Sequence, residues 1–179
     1  VSVDVGAGRY AVAISGGRYQ SCAILDDGSV KCWGYNGHGG LGDGTYTDSD
    51  SPASSVDLGT GPTAASIATG YYHTCVVLDD GSPKCWGYGS NGELGDGSAS
   101  GSNTPVSVTF EVGRSVIAIA HGSAHSCALL DNMSVQCWGS NSAGQLGDGT
   151  TTDSTTPTYV SLASGSKGAV SERDLDGDG

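Results

Sequence analysis

Six cysteines fall into three pairs, each pair ten positions apart: Cys22 and Cys32, Cys75 and Cys85, Cys127 and Cys137. Thiols so spaced have three chemistries open to them, namely disulfide bonding, metal ligation and redox cycling. Within "CAILDDGSVKC" a turn about Asp27 sets Cys22 opposite Cys32 on antiparallel strands. Directly opposed residues have Cβ atoms about 4.5–5.5 Å apart, near the roughly 3.5–4.5 Å of a disulfide. The same reasoning pairs Cys75 with Cys85 and Cys127 with Cys137, each bridge closing a loop of about eleven residues and contributing roughly 2–3 kcal/mol. Zinc is the rival, because His73 and His125 stand two residues before Cys75 and Cys127 on one strand face. Against it, Gln20 replaces the histidine in the first copy, and zinc sites favour closer CxxC or HxxxH spacing. A redox pair is disfavoured by the lack of CxxC. Hairpin disulfides are therefore expected, and with them an oxidising compartment.

Other residues able to do chemistry read more simply as structure. Asp43, Asp96 and Asp148 recur in "LGDGT" or "LGDGS", where Asp before Gly is ordinary turn chemistry. Trp33, Trp86 and Trp138 each follow the second cysteine of a pair; a carbohydrate-stacking platform competes with packing between strands, and packing is expected. Gly37–Gly39–Gly42 and Gly87–Gly89–Gly92 match GxGxxG but open no helix, so no dinucleotide site is expected. No nucleophile–base–orienter set is present, and catalysis is not expected.

Two places break the pattern. "DNMS" at 131–134 stands where the other copies read "DDGS", so Met133 replaces a turn glycine and the turn is expected to differ in shape. The same change creates an N-glycosylation sequon at Asn132. In the tail "SERDLDGDG", Asp174, Asp176 and Asp178 match the opening of a calcium loop, the one metal site the sequence nominates.

These residues sit in a repeat of 52 to 53 positions. Each copy has an apolar run, two short segments bearing the cysteines, a glycine-rich stretch, a Ser/Thr/Asp-rich loop (45–55, 98–104, 150–156) and a fourth extended run, "SSVDL", "PVSVTF" or "TYVSL". Short β-rich segments between Gly, Asp and Asn turns read as strands, and four per repeat is the composition of a propeller blade. The expected fold is all-β: three four-stranded blades over 7–58, 59–110 and 111–162, an extra strand at 1–6, and a linker with the start of a calcium-loop module at 163–179. With 179 residues, 31 glycines and a formal charge of −12, the chain has no basic cluster for phosphates and no apolar run near the length of a membrane span. Nucleic-acid binding and membrane insertion are not expected. The opening Val1, without Met, suggests a processed or excerpted piece.

The signature "WGxNxxGxLGDGT" after a Cys/Asp-Gly hairpin, clearest in "HTCVVLDDGSPKCWGYGSNGELGDGS" and "HSCALLDNMSVQCWGSNSAGQLGDGT", resembles the regulator-of-chromosome-condensation repeat family over roughly 1–162. The resemblance is to its secreted, cysteine-bearing prokaryotic form, and it implies β-propeller blades, typically seven to a ring. The eukaryotic namesake's nuclear exchange-factor activity does not transfer, since fold does not fix function. A secreted relative that inhibits β-lactamases implies that such modules act as protein binders. The resulting expectation is a non-catalytic extracellular module for protein–protein contact at a cell surface, either part of a larger propeller or self-assembling into a ring or filament. The alternatives are a glycan- or calcium-dependent adhesion module and a secreted enzyme inhibitor.

Overall fold

The structure is a computed structural model that describes residues 3–52, 55–110 and 113–161. Strands form where apolar and β-branched residues alternate between Gly, Asp and Asn turns. Blade 1 holds β1 (Ala11–Gly16), β2 (Gln20–Leu25) and β3 (Val30–Gly34). Blade 2 holds β4 (Ala64–Thr69), β5 (His73–Leu78), β6 (Pro83–Gly87) and β7 (Ser102–Ser107). Blade 3 holds β8 (Val116–His121), β9 (His125–Leu130), β10 (Val135–Gly139) and β11 (Ser154–Tyr159). Neighbours within each sheet follow chain order and are antiparallel, the meander that the repeat implies. In the first blade the fourth position is filled by two isolated bridges, Gly34 with Ser49 and Lys31 with Ser55, and by the Val56 N–H donating to Val30 O.

The fourth strands of blades 2 and 3 begin earlier than the sequence suggested. β7 and β11 begin within the Ser/Thr-rich segments and run into only the first residues of "PVSVTF" and "TYVSL". Pairing with Gly87 and Gly139 draws Ser102 and Ser154 into the sheet, their hydroxyls bond the carbonyls of Thr104 and Thr156, and the prolines at 105 and 157 are tolerated because both strands are sheet edges. Among residues 3–6 no strand is formed; residues 1 and 2 of the expected extra strand lie outside the described residues.

The blades stack face to face, and the hydrophobic cores lie between them. Cys22, Ile24, Val30 and Leu41 of repeat 1 meet Val76, Leu78 and Trp86 of blade 2. Cys75, Val77, Cys85 and Leu94 of repeat 2 meet Ala128, Leu130 and Trp138 of blade 3. β5 is consequently buried at every position, its odd and even side chains entering different cores. Such units have no private core and depend on their neighbours.

One expectation fails at the third hairpin. Met133 adopts φ 66°, the conformation that Gly28 (75°) and Gly81 (82°) adopt in the other hairpins, so the turn keeps its shape. Its framing bonds decide this. Met133 N–H donates to Leu130 O as Gly28 donates to Leu25 O, while Asn132 Oδ1 accepts from Ser134 as Asp27 Oδ1 accepts from Ser29. The chain therefore holds a non-glycine residue in the left-handed region, at a steric cost of about 1–2 kcal/mol.

Candidate protein-interaction site

The structure joins Cys22 to Cys32, Cys75 to Cys85 and Cys127 to Cys137, each pair directly opposed in the ladder with Cα atoms 4.1 Å apart. The first two bridges lie inside the two cores, so each sulfur pair both closes its hairpin and packs against the next blade. With all six thiols consumed, the cysteines cannot serve as zinc ligands.

Trp86 and Trp138 are fully buried, and each reaches back to the repeat before it. Trp86 Nε1 donates to Gly40 O and Trp138 Nε1 to Glu93 O, both at 2.9 Å. The hydroxyls of Thr74 and Ser126 donate to the same two carbonyls. The "LGDG" motif makes room for this. A Cβ on Gly42 would stand 2.6 Å from Trp86 Nε1, and one on Gly95 would stand 2.7 Å from Trp138 Nε1, both at positive φ. Glycine is required there twice over, by conformation and by close approach.

Blade 1 carries the same equipment with nothing against it among the described residues. Trp33 is only half-buried, and its Nε1 has no partner among the described residues. Ile14 is 71% exposed, whereas its counterparts Ile67 and Ile119 pack against the two cores. Blade 3 presents the complementary half. Cys127, Leu129 and Val135 are half-buried, while the corresponding Cys22, Ile24 and Val30 are sealed under blade 2. The carbonyl corresponding to those of Gly40 and Glu93 belongs to Gln145. The two outer faces are thus the two halves of an interface that the molecule already makes twice.

The remaining sequence-nominated residues are placed as follows. Asp43, Asp96 and Asp148 accept from the N–H and hydroxyl of Thr45, Ser98 and Thr150, forming turns. The Asp148 carboxyl is held below its ordinary value chiefly by the Thr150 N–H and hydroxyl. His73 is buried between blades, its Nε2 3.1 Å from both His121 Nδ1 and Ser126 Oγ. Burial, with the charge of nearby His125 adding, pushes His73 down to about 4. Burial, reinforced by His73 and His125, sets His121 well below the ordinary imidazole value, and its Nε2 is buried without a partner among the described residues. His125 is itself lowered by partial burial. No helix follows either GxGxxG match. Asn132 sits on the exposed third hairpin tip. Asp174, Asp176 and Asp178 lie outside the described residues.

Sequence reasoning missed the two asparagines that organise the glycine-rich loops. Asn36 and Asn141 are fully buried, and Asn141 Nδ2 donates to Asp148 Oδ1 and to the carbonyls of Thr150 and Thr152, while its Oδ1 accepts from Leu146 N. Asn36 makes the matching bonds to Asp43, Thr45 and Leu41. Their recurrence in "WGYN" and "WGSN" was the available signal. Gly89 stands at this position in repeat 2, which masked it.

Comparison with known proteins agrees with this architecture. The family model described as Regulator of chromosome condensation (RCC1) repeat matches residues 27–77, 85–129 and 134–171. A second model of the same description matches 11–39, 64–93 and 116–145. The human E3 ubiquitin-protein ligase HERC2 is 33% identical over 156 residues, 87% of this chain and 3% of that protein. The Arabidopsis thaliana ultraviolet-B receptor UVR8 is 35% identical over 147 residues, 82% of this chain and 33% of that protein. Among solved structures, human WBSCR16 superposes with TM-score 0.78 at 24% identity, covering 88% of this chain and 41% of that one. Prp20p from Saccharomyces cerevisiae, described with its binding to Gsp1p and histones, gives 0.77 at 22%, covering 86% and 39%. The ectodomain of the Physcomitrella patens receptor kinase CR4 gives 0.51 at 26%, covering 82% and 35%. The chain spans a minor part of each of these proteins.

Proposed function

This chain belongs to the regulator of chromosome condensation (RCC1) repeat family, and from that premise we propose that it is a non-catalytic, extracellular protein-interaction module whose outer blades dock onto blades of the same build. The observation that carries the reading is the difference between Trp33, half-buried and unpartnered among the described residues, and Trp86 and Trp138, sealed against a neighbouring repeat. An exposed apolar face rimmed by polar groups marks an interaction surface, and here the molecule displays its complement on the opposite side. A blade donated by a second copy satisfies both ends at once: Trp33 enters the loop at Gln145, and Ile14 covers Leu129 and Val135. Because each contact is head-to-tail, repetition gives a ring if the rotation closes and a filament if it does not.

Two observations support a location outside the cytosol. Three disulfides, two of them buried between blades, belong in an oxidising compartment. The fold is also shared with a receptor kinase ectodomain at 26% identity. Protein binding fits the yeast relative that binds Gsp1p and histones, and a chain of charge −12 favours basic partners.

Sedimentation velocity of the native protein beside its Trp33→Arg variant tests the docking. The reading expects concentration-dependent assembly that the variant loses while its hairpins stay folded. An unassembled wild-type particle, with Trp33 freely accessible to an aqueous quencher, overturns it.

A further inference from the structure

Repeats 1 and 2 carry tyrosines where repeat 3 carries small residues. Tyr19 and Tyr72 correspond to Ala124, and Tyr35 and Tyr88 to Ser140. The tyrosines gather at the turns that end blades 1 and 2. Tyr19 stacks on Tyr72 at 6.0 Å, and Tyr71 meets Tyr72 edge-on at 4.6 Å. The chain itself places a cation on this cluster: the Arg18 guanidinium lies 4.1 Å from the Tyr71 ring centre and 4.9 Å from that of Tyr19.

Beyond Tyr72 the cluster opens into a cleft of about 450 Å³ bounded by His38, Tyr72, Tyr88, Glu93 and Ser123. His38 and Tyr88 are 5.2 Å apart at 75°, and Tyr72 and Tyr88 are 6.5 Å apart at 60°. With His38 and Tyr72 also 4.5 Å apart at 56°, rings so steeply tilted do not form the flat ledge that a pyranose or a polyproline ridge needs. A compact cation against several ring faces suits this shape.

Glu93 sets a negative charge behind the wall of the cleft. It is fully buried, and its Oε1 and Oε2 accept from Asn91 Nδ2 and Asn91 N, both at 2.8 Å. Both donors are neutral, and no Lys or Arg pairs with this carboxylate among the described residues. The fold does not require the charge. Gln145, at the same position of repeat 3, makes the equivalent turn bond, its Oε1 accepting from Ala143 N at 2.7 Å. A buried carboxylate is costly without a positive partner, and here it borders an aromatic cleft.

We propose that the cleft walled by His38, Tyr72 and Tyr88 over Glu93 receives a Lys or Arg side chain from a protein partner. This rests on the reading of the chain as a protein-interaction module and names the chemistry of what it binds; the net charge of −12 draws basic partners toward it.

The test titrates the protein with N-acetyl-arginine amide and N-acetyl-lysine amide, using N-acetyl-citrulline amide and chitotriose as uncharged controls. Ring resonances of Tyr72 and Tyr88 are followed by NMR. The two cations are expected to shift both rings, and the controls are not. Glu93→Gln, which keeps the turn bond, is expected to weaken cation binding roughly tenfold with a melting temperature that holds or rises. Tyr88→Ala is expected to abolish it. Equal binding of citrulline or chitotriose, or full affinity in Glu93→Gln, overturns the assignment. If no probe shifts these rings while the protein still assembles through Trp33, the cleft assignment fails alone; if neither occurs, the interaction reading falls with it.

Discussion

The indole N–H of Trp86 donates to the carbonyl of Gly40 at 2.9 Å, across 46 positions of sequence and from one blade to the one before it. That bond ties together the signature's most recognisable features. The tryptophan beside the second cysteine enters a pocket that the glycines of the preceding "LGDG" loop leave open, and the paired sulfurs pack alongside. Each repeat is therefore completed by its neighbour.

Replacing Trp86 by Ala is expected to cost about 3–5 kcal/mol, the usual range for a large buried aromatic. Replacing Trp33 in the unassembled chain is expected to cost far less, because its face is open. Urea unfolding of the two variants checks the asymmetry. Equal losses would contradict the inter-blade account.

Removing the blade-2 disulfide, which faces blade 3, with Cys75→Ala and Cys85→Ala together is expected to cost about 2–3 kcal/mol from loop closure alone. The outer Cys127–Cys137 pair, half open at Cys127, is expected to be the first reduced under mild dithiothreitol. Differential alkylation followed by peptide mapping gives the order.

Met133→Gly is expected to raise stability by up to about 1–2 kcal/mol, since it relieves a side chain held at φ 66° while leaving Asn132 and Ser134 to frame the turn. Thermal melts of the variant provide the check. An unchanged or lower midpoint would show that Met133 contributes contacts worth the strain.

The buried histidines set an acid limit. The unfolded chain takes up protons on His73 and His121 near pH 6.5, while the folded chain resists until about pH 4 for His73 and until well below the ordinary imidazole value for His121. Their neutral folded forms are accommodated above about pH 6.5. Below it, stability falls by about 1.4 kcal/mol per pH unit for each histidine until the folded value is reached. Asp27 and Asp80, lowered chiefly by the hydroxyls of Ser29 and Ser82, act in a separate window below about pH 3.8. Urea midpoints between pH 7 and 4 are expected to decline, with a shallower slope in His73→Leu.

The hairpins were legible in the sequence because their determinants are local: two cysteines, an Asp-Gly turn (Asn132-Met133 in the third) and alternating apolar residues within thirteen positions. The start of the fourth strand was not. Ser102 and Ser154 look like loop residues, and only the neighbouring ladder makes them strand. Asn36 and Asn141 carried a signal broken by Gly89. The tyrosine cleft was harder to see, since Tyr72, Tyr88 and His38 come together only when two blades stack, and Glu93 reads as loop filler until Gln145 shows that its charge is unnecessary. Met133 misled because glycine's preference was taken as a requirement, whereas the surrounding hydrogen bonds override it.

Site-specific photo-cross-linking from position 33, with benzoylphenylalanine replacing Trp33 in the native particle, tests the docking of like blades most directly. The account predicts cross-linked peptides containing an "LGDG"-type loop, that of Gln145–Gly149 in a second copy. Cross-links confined to solvent or to peptides lacking that loop would contradict it.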